Sequence, residues 1–153
     1  MIFKRDDLSN VICNIRIPTP KGEETGTGIF IEKNNIPYLL TAEHVVKNIN
    51  PQSYVILSDN GEPIKVMLDI LLGGSTFAFH EKADLAKAKI TITADNEKIL
   101  RERCFPFNQI EVNNNLISKD IQLTTIGFPL GLGANSSSYS PLGSVLKSVY
   151  GLV

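Results

Sequence analysis

Two side chains in this sequence, His44 and Asp84, are the first candidates for acid–base chemistry. His44 follows an apolar run over residues 36–41 that predicts a β-strand, and it lies in a short helical turn predicted over residues 42–48. A histidine held at the rim of a rigid sheet is well placed to act as a general base. The alternative is a surface histidine, or one whose ring nitrogens bond to its own neighbours, without a chemical role.

Asp84 stands 40 residues after His44, directly before a predicted strand over residues 85–92. Its carboxyl group is therefore expected at the start of a strand. An aspartate in this position commonly forms a turn, and that interpretation requires no chemistry. The residues alone leave both interpretations of Asp84 open.

Short β-strands are the elements that would carry these two residues. Their apolar runs are bounded by turn residues such as Pro18 and the Asn-Gly pair at 60–61, which is typical of a tight hairpin. The polar stretch over 21–27 predicts a loop, and helical turns are expected only over 42–48 and 95–103. The predicted strands cover residues 11–17, 28–32, 36–41, 54–57, 63–67, 85–92, 110–112, 121–127 and 145–149. Many short strands with frequent turns predict an all-β protein, either a barrel or a sandwich.

Four short motifs occur in a defined order along the chain. They are Gly-Thr-Gly-Ile-Phe at 26–30, Thr-Ala-Glu-His at 41–44, Asp-Leu-Ala at 84–86 and Gly-Phe-Pro at 127–129. Together they resemble the trypsin-like (chymotrypsin-fold) serine peptidases, and each motif is loose while their ordered conjunction is more specific. Val45 occupies a position where secreted animal members carry a disulfide cysteine, so the resemblance favours the bacterial or intracellular branch.

The resemblance implies a fold and an activity. The fold is a trypsin-like double β-barrel, with a complete first barrel over residues 8–112 and a second barrel that is only begun over residues 115–153. His44 would be the general base, and Asp84 would orient its ring, fix its tautomer and stabilise the imidazolium. The activity would be hydrolysis of peptide bonds by acyl transfer, with a polypeptide as substrate and without a cofactor.

The nucleophile of this family is missing from the sequence. No serine has the Gly-x-Ser-Gly-Gly setting, and those at 136–138 and 140 precede Pro141 in a polar loop. Ser144 and Ser148 stand in a β pattern, so they are not expected at a turn that aims backbone N–H groups at an oxyanion. The strand-like C-terminus is also unlike the polar termini of most domains. We expect the chain to be an N-terminal fragment of a longer peptidase, inactive by itself.

Two other functions stay open at this point. One is an inactive module of the trypsin fold that binds a partner without chemistry. The other is a peptidase of the same fold with a cysteine nucleophile, which His44 would serve equally well. Residues that follow Val153 in the gene distinguish the three, because Gly-x-Ser-Gly, Gly-x-Cys-Gly or neither would be found there.

Composition, charge and motif spacing argue against several other classes of function. With 15 basic and 16 acidic residues the net charge is −1, which gives no electrostatic reason to bind nucleic acid or an anionic membrane. No apolar run approaches the roughly 18–20 residues that cross a bilayer, and residues 1–7 have no apolar core behind them as in a secretory signal. A cytoplasmic location is therefore expected. The glycines over 127–133 do not have the spacing of a dinucleotide fingerprint.

The remaining histidine and the two cysteines are too scattered to predict a metal site with His44. Cys13 and Cys104 are isolated, and two free, mostly buried thiols are preferred to a single bridge. His80 follows Phe-Ala-Phe and is expected to be a loop or core-edge histidine. No metal is expected.

Overall fold

The structure, a computed structural model, describes residues 10–59, 62–110, 123–128 and 144–148. Over these residues the chain is mostly β, which confirms the all-β prediction. The strands are Ile12–Thr19 (β1), Gly22–Lys33 (β2), Ile36–Thr41 (β3), Tyr54–Asp59 (β4), Glu62–Met67 (β5), Ala78–Phe79 (β6), Ala86–Lys89 (β7), Phe105–Pro106 (β8), Leu123–Gly127 (β9) and Ser144–Ser148 (β10). The helices are Glu43–Val46 (α1), Leu68–Leu72 (α2) and Glu97–Arg101 (α3), and Phe107–Gln109 forms a 3-10 turn.

Eight of the strands form one sheet. Its hydrogen-bonded order is β5-β4-β1-β2-β3-β7-β6, and neighbours along this path are antiparallel. β8 lies off the path and pairs in parallel with β2, while β9 and β10 form a separate antiparallel pair. In the described residues the path is open, with ends at β5 and β6. Closure into a barrel and the domain bounds 8–112 and 115–153 therefore stay predictions.

The longest strand, β2, includes the polar stretch that the sequence predicts as a loop. The prediction over 21–27 is wrong, because β2 begins at Gly22 and pairs with β1 along its whole polar half. Arg16 donates to Glu23 Oε1 at 2.9 Å, and the Tyr54 hydroxyl donates to the same oxygen at 3.2 Å. The polar pattern thus reflects side chains that pair across strands.

β1 runs through Pro18, where the sequence predicts its end. Pro18 stands opposite Glu23 of β2, and its carbonyl oxygen accepts a hydrogen bond from Asn50 Nδ2 at 2.8 Å. The nitrogen and the carbonyl of one strand residue point to the same side, so the proline nitrogen faces away from β2. Its missing N–H therefore removes no bond between β1 and β2.

Two hairpins follow local turn signals. β3 has its predicted bounds, and the turn before it is formed by Asn34 and Asn35, whose φ angles are 53° and 61°. Positive φ at both positions is the type I′ geometry that suits the twist of paired strands. β4 and β5 pair up to Asp59 opposite Glu62, while the Asn-Gly pair at 60–61 lies outside the described residues.

Other elements differ from their predicted extent. The helical turn predicted over 95–103 is the shorter α3, the strand predicted over 85–92 is the shorter β7, and α2, β6 and β8 were not predicted. Residue 110 is not in a strand, and residues 111–115, with the predicted domain boundary, lie outside the described part of the chain. The strands predicted over 121–127 and 145–149 correspond to β9 and β10. No helix in the described residues has the length and apolar character needed to traverse a bilayer.

The main core is built by side chains from five strands and all three described helices. Its fully buried side chains include Ile15, Ile17, Phe30, Leu39, Val46, Val55, Leu57, Leu68, Leu71 and Leu100. In a smaller cluster, Val11 and Ile12 at the start of β1 pack with Phe128, which follows β9. The smaller cluster is one of the places where the two sheets meet.

The second link between the sheets is a hydrogen bond to Thr27. The backbone N–H of Phe128 donates to Thr27 Oγ1 at 2.9 Å. A Cβ at Gly127 would lie 3.1 Å from the same hydroxyl oxygen, so the glycine permits this close approach. The first two residues of the Gly-Phe-Pro motif therefore lie against the Gly-Thr-Gly motif of β2.

We expect Thr27→Val to loosen the link between the sheets. Valine has nearly the same shape but cannot accept the Phe128 N–H bond, so the free energy of unfolding should fall by about 1 kcal/mol. Amide hydrogen exchange of Phe128 should become about fivefold faster, since 1.4 kcal/mol corresponds to tenfold. The control is Thr25→Val, two residues away on β2, whose hydroxyl makes only a 3.4 Å bond to Asn14. Equal exchange of Phe128 in both variants would contradict the link.

Candidate functional site

His44 lies on α1, the single helical turn that follows β3. This turn buries Val45 and Val46 in the core and leaves the His44 side chain exposed. Successive residues of a helix point about 100° apart, so two adjacent buried valines direct the preceding side chain outward. Burial of the two valines after the histidine therefore directs the imidazole away from the core and towards solvent.

Gly26 of β2 provides the space that α1 needs. A Cβ at this position would lie 2.5 Å from Cγ2 of Val45 and 2.6 Å from its Cγ1, closer than real carbon atoms approach. Any side chain here would push α1, and His44 with it, away from the sheet. Gly28 is as crowded, with a Cβ 2.7 Å from Leu39 Cδ1, but none of its close contacts belongs to α1.

Thr27, between the two glycines, anchors the end of β3. The hydroxyl of Thr41, the last residue of β3, donates to the Thr27 carbonyl oxygen at 2.9 Å. Thr41 is buried and stands three positions before His44, so this bond holds the chain where the strand changes into the helix. Sequence reasoning missed these roles of Gly26 and Thr27. The only signal was a pair of glycines around a threonine in a strand, which does not reveal their partners.

The pairing of β3 with β7 brings Asp84 to His44. Thr41 of β3 stands opposite Ala86 of β7 in the antiparallel register. Asp84 comes two residues before Ala86, and His44 comes three residues after Thr41. Because the strands are antiparallel, the start of one and the end of the other lie at the same edge of the sheet.

The Asp84 carboxylate contacts His44 at two points. Oδ1 accepts a hydrogen bond from the His44 backbone N–H at 2.9 Å, and Oδ2 is hydrogen bonded to the ring Nδ1. A carboxylate that holds both the main chain and the ring of one residue restricts rotation of that ring. The structure thus brings together the two residues that the sequence singled out, while their catalytic role stays a prediction.

The pKa of Asp84 lies below its ordinary value of 3.8. The hydrogen bond from the His44 backbone N–H lowers it most, the bond from the His44 ring comes next, and desolvation acts in the opposite direction. The carboxyl group is therefore ionised at neutral pH. An ionised acceptor favours the tautomer with its proton on Nδ1, which leaves the Nε2 lone pair free to take a proton.

Both side chains are accessible in the described residues. The exposed fraction is 65% for the His44 side chain and 54% for that of Asp84. In the serine peptidase triad the orienting carboxylate is buried, and the described part of the chain does not provide that environment for Asp84. Solvent screens the attraction between such exposed groups, so the two-point hydrogen bonding governs their orientation more than charge does.

Nε2 of His44 has no hydrogen-bond partner among the residues whose side chains the structure describes, which are 10–59, 62–110, 127 and 128. Ser144 and Ser148 begin and end β10, a regular strand paired with β9, and so do not occupy a tight turn. The serines at 136–138 and 140 lie outside the described residues. Within residues 10–59, 62–110, 127 and 128, the imidazole of His44 is therefore bonded to the carboxylate of Asp84, and no hydroxyl is bonded to its Nε2.

The two cysteines are free thiols, as predicted. Burial raises the pKa of Cys13 to about 12 and that of Cys104 to about 11. Such thiols hold almost no thiolate at neutral pH, and the thiolate is the nucleophilic form. Neither cysteine is therefore suited to act as a nucleophile beside His44.

Metal binding has no support in the described residues, where no three His, Cys, Asp or Glu side chains are grouped to hold an ion. Most of the glycine-containing segment over 127–133 lies outside those residues. The expectation that the protein uses neither metal nor cofactor stays a prediction.

Comparisons with known proteins do not assign the chain to a family. No protein-family model matches it, and no curated protein matches it. The likeness to trypsin-like peptidases is therefore a resemblance of short motifs.

We expect Gly26→Ala to separate His44 from Asp84, with Gly28→Ala as its matched control. Both changes add one methyl group to the same strand, and both should lower the free energy of unfolding by about 1–3 kcal/mol. Only the change at Gly26 meets Val45 and displaces α1. Nitrogen NMR should therefore show a His44 Nδ1–H signal in Gly28→Ala and not in Gly26→Ala. The opposite pattern would contradict the role of Gly26.

We expect the Asp84 carboxyl to titrate below 3.8 even without the imidazole. Its folded pKa is depressed, so the ionised group stabilises the fold above the ordinary pKa, and this contribution is lost as pH falls through the lower folded pKa. His44→Ala removes the ring bond but keeps the backbone N–H, which is the larger cause. Carbon NMR of the carboxyl should then show a pKa that rises yet stays below 3.8. A full return to 3.8 would show that the ring is the main cause.

Proposed function

We propose that this chain contributes the general base and the orienting acid of a serine-type endopeptidase with trypsin-like double-barrel architecture. The observation that carries the proposal is the two-point contact of Asp84 with the backbone N–H and the Nδ1 of His44. This contact leaves Nε2, the nitrogen on the far side of the ring, available for proton transfer. A base, an orienting acid and a fixed tautomer are what this reaction requires of these residues.

An ordinary surface ion pair does not need this arrangement. Exposed pairs contribute roughly 0–1 kcal/mol, and their long side chains are seldom held in one geometry. Here the carboxylate bonds a main-chain N–H 40 residues away, across paired strands whose register is defined. The close packing of Val45 against Gly26 holds the helical turn in place as well. A maintained orientation of this kind favours a base over a chance pair.

The proposed reaction is acyl transfer through a serine. The hydroxyl oxygen attacks the peptide carbonyl carbon while its proton passes to Nε2 of His44. The imidazolium gives that proton to the amide nitrogen, the C–N bond breaks, and an ester to the serine remains. Water then attacks the ester, Nε2 takes the water proton and returns it to the serine oxygen, and the acid product leaves. Asp84 stays ionised throughout and stabilises the imidazolium.

The proposal takes three parts of the machinery from outside the described residues. These are the nucleophilic serine, the N–H donors that stabilise the oxyanion, and the pocket that selects a substrate side chain. No serine of the sequence stands in Gly-x-Ser-Gly, so we place the nucleophile in polypeptide beyond these 153 residues. The substrate is a polypeptide.

The probe experiment described below also tests the two alternative functions. A cysteine peptidase needs a thiol of low pKa, and the raised pKa values of Cys13 and Cys104 place any such thiol elsewhere. A binding module of the same fold needs no proton transfer and would leave the orientation of His44 without a chemical use.

We expect the protein encoded by the whole gene to react with a serine-directed fluorophosphonate probe. His44→Ala should abolish most of the labelling, because without a base the hydroxyl stays protonated and weakly nucleophilic. Asp84→Asn should preserve the fold and lower peptide hydrolysis by about 10⁴-fold, the loss established for the same change in trypsin-like peptidases. Asp95→Asn, the same chemical change at an exposed loop residue, is the matched control and should react normally.

The outcomes separate the alternatives. Labelling of the 153-residue chain alone at a serine between 136 and 148 would contradict an external nucleophile. Reaction with a thiol-directed probe in place of the fluorophosphonate would indicate the cysteine peptidase. A folded protein, free of any inhibitory segment, that reacts with neither probe would contradict the peptidase proposal and favour the binding module.

A further inference from the structure

The second histidine of the chain, His80, lies in the loop that carries Asp84. Its ring Nδ1 accepts hydrogen bonds from the backbone N–H groups of Lys82 and Ala83, both at 3.1 Å. A ring nitrogen that accepts two N–H groups carries no proton, so the single ring proton lies on Nε2. The geometry therefore requires a neutral His80 in one defined tautomer.

These two bonds shape the loop up to Asp84. A side-chain acceptor that bonds N–H groups two and three residues ahead is the device by which Asn and Asp commonly fix turns. The loop is then closed by the bonds from His80 N–H to Leu85 carbonyl and from Leu85 N–H to Ala83 carbonyl, both 2.8 Å. The residues immediately before and after Asp84 are thus held by hydrogen bonds.

Hydrogen bonding matters here because the loop has little packing. Residues 81–85 are all exposed, so burial of apolar side chains does not hold them in place. Loops of this kind open easily unless local bonds restrict them. Local hydrogen bonds are therefore what restrict the loop that brings Asp84 to His44, and His80 accepts two of them.

We propose that His80 is a positioning residue for Asp84, whose neutral imidazole holds residues 80–85 in the conformation that presents the Asp84 carboxylate to His44. His80 itself does not bond to His44 or Asp84 in the described residues. Its effect on peptide hydrolysis rests on the proposed function, whereas its effect on the contact between Asp84 and His44 does not.

The test compares two substitutions of His80 in the full-length protein. His80→Ala removes the acceptor, while His80→Asn keeps one, because Oδ1 of asparagine occupies nearly the position of Nδ1. Nitrogen NMR at a pH where both imidazoles are neutral should show the wild-type proton on Nδ1 of His44 and on Nε2 of His80. The His44 Nδ1–H signal should disappear in His80→Ala and persist in His80→Asn. Lys82→Ala, which keeps the backbone N–H, is the matched control and should retain it.

The same variants predict a pattern in the proposed activity. Misplacement of a group that orients a catalytic base costs on the order of 10²-fold, so His80→Ala should lower kcat by that factor. KM should change little, because the proposed effect of His80 acts through Asp84 and His44 and not through a contact with substrate. His80→Asn should restore most of the rate, because asparagine keeps the acceptor. A role of His80 that depended only on its size or charge would not predict this recovery.

Failure of this proposal differs from failure of the proposed function. No peptide hydrolysis, with the NMR pattern intact, would overturn the function and leave the positioning role supported. A proton on Nδ1 of wild-type His80, or an unchanged His44 signal in folded His80→Ala, would overturn the positioning role. If His80→Ala does not fold, two other observations test the positioning role: the tautomer of wild-type His80 and the His44 Nδ1–H signal in His80→Asn. Loss of the His44 signal in His80→Asn would also overturn the positioning role.

Discussion

The pairing of β3 with β7 is the constraint on which the candidate site depends. Along β7 the alanines are buried and the lysines are exposed, so a register shifted by one residue would reverse their two faces. A slip by one residue would bury Lys87 and Lys89 and move Asp84 about 3.3 Å along the strand. The alternating Ala-Lys pattern, which resembles an ordinary solvated strand face, thus excludes the two adjacent registers and helps to fix the distance between Asp84 and His44.

Elements with local signals could be predicted from the sequence, and those with distant partners could not. β3 and its hairpin turn follow from an apolar run and two consecutive asparagines, which tolerate positive φ. The sequence predicts a loop for the polar half of β2 because its stabilising partners, Arg16 and Tyr54, lie on other strands. β6 and β8 have two residues each, so their pairing depends on neighbours rather than on any pattern of their own.

The candidate site was predictable as a pair of residues but not as a structure. Motif order singled out His44 and Asp84, whose contact the structure contains. The residues to which we attribute their geometry carry no such signal, because Gly26 lacks a side chain beneath Val45 and His80 accepts hydrogen bonds from a turn. The exposure of the two side chains could not be predicted either, since it depends on what covers an edge of the sheet and not on the residues at that edge.

The order of the causes that lower the Asp84 pKa bears on how such a pair would function. The backbone N–H of His44 contributes more than the ring, and it donates whether or not the ring is protonated. The carboxylate is therefore held in place before the imidazole takes a proton and after it gives the proton up. An imidazolium formed at this position would meet an acceptor already oriented, with no rearrangement needed at that moment. In the proposed function, orientation by the main chain would thus compensate for the exposure of the pair, because a backbone donor does not change its direction when water surrounds the side chains.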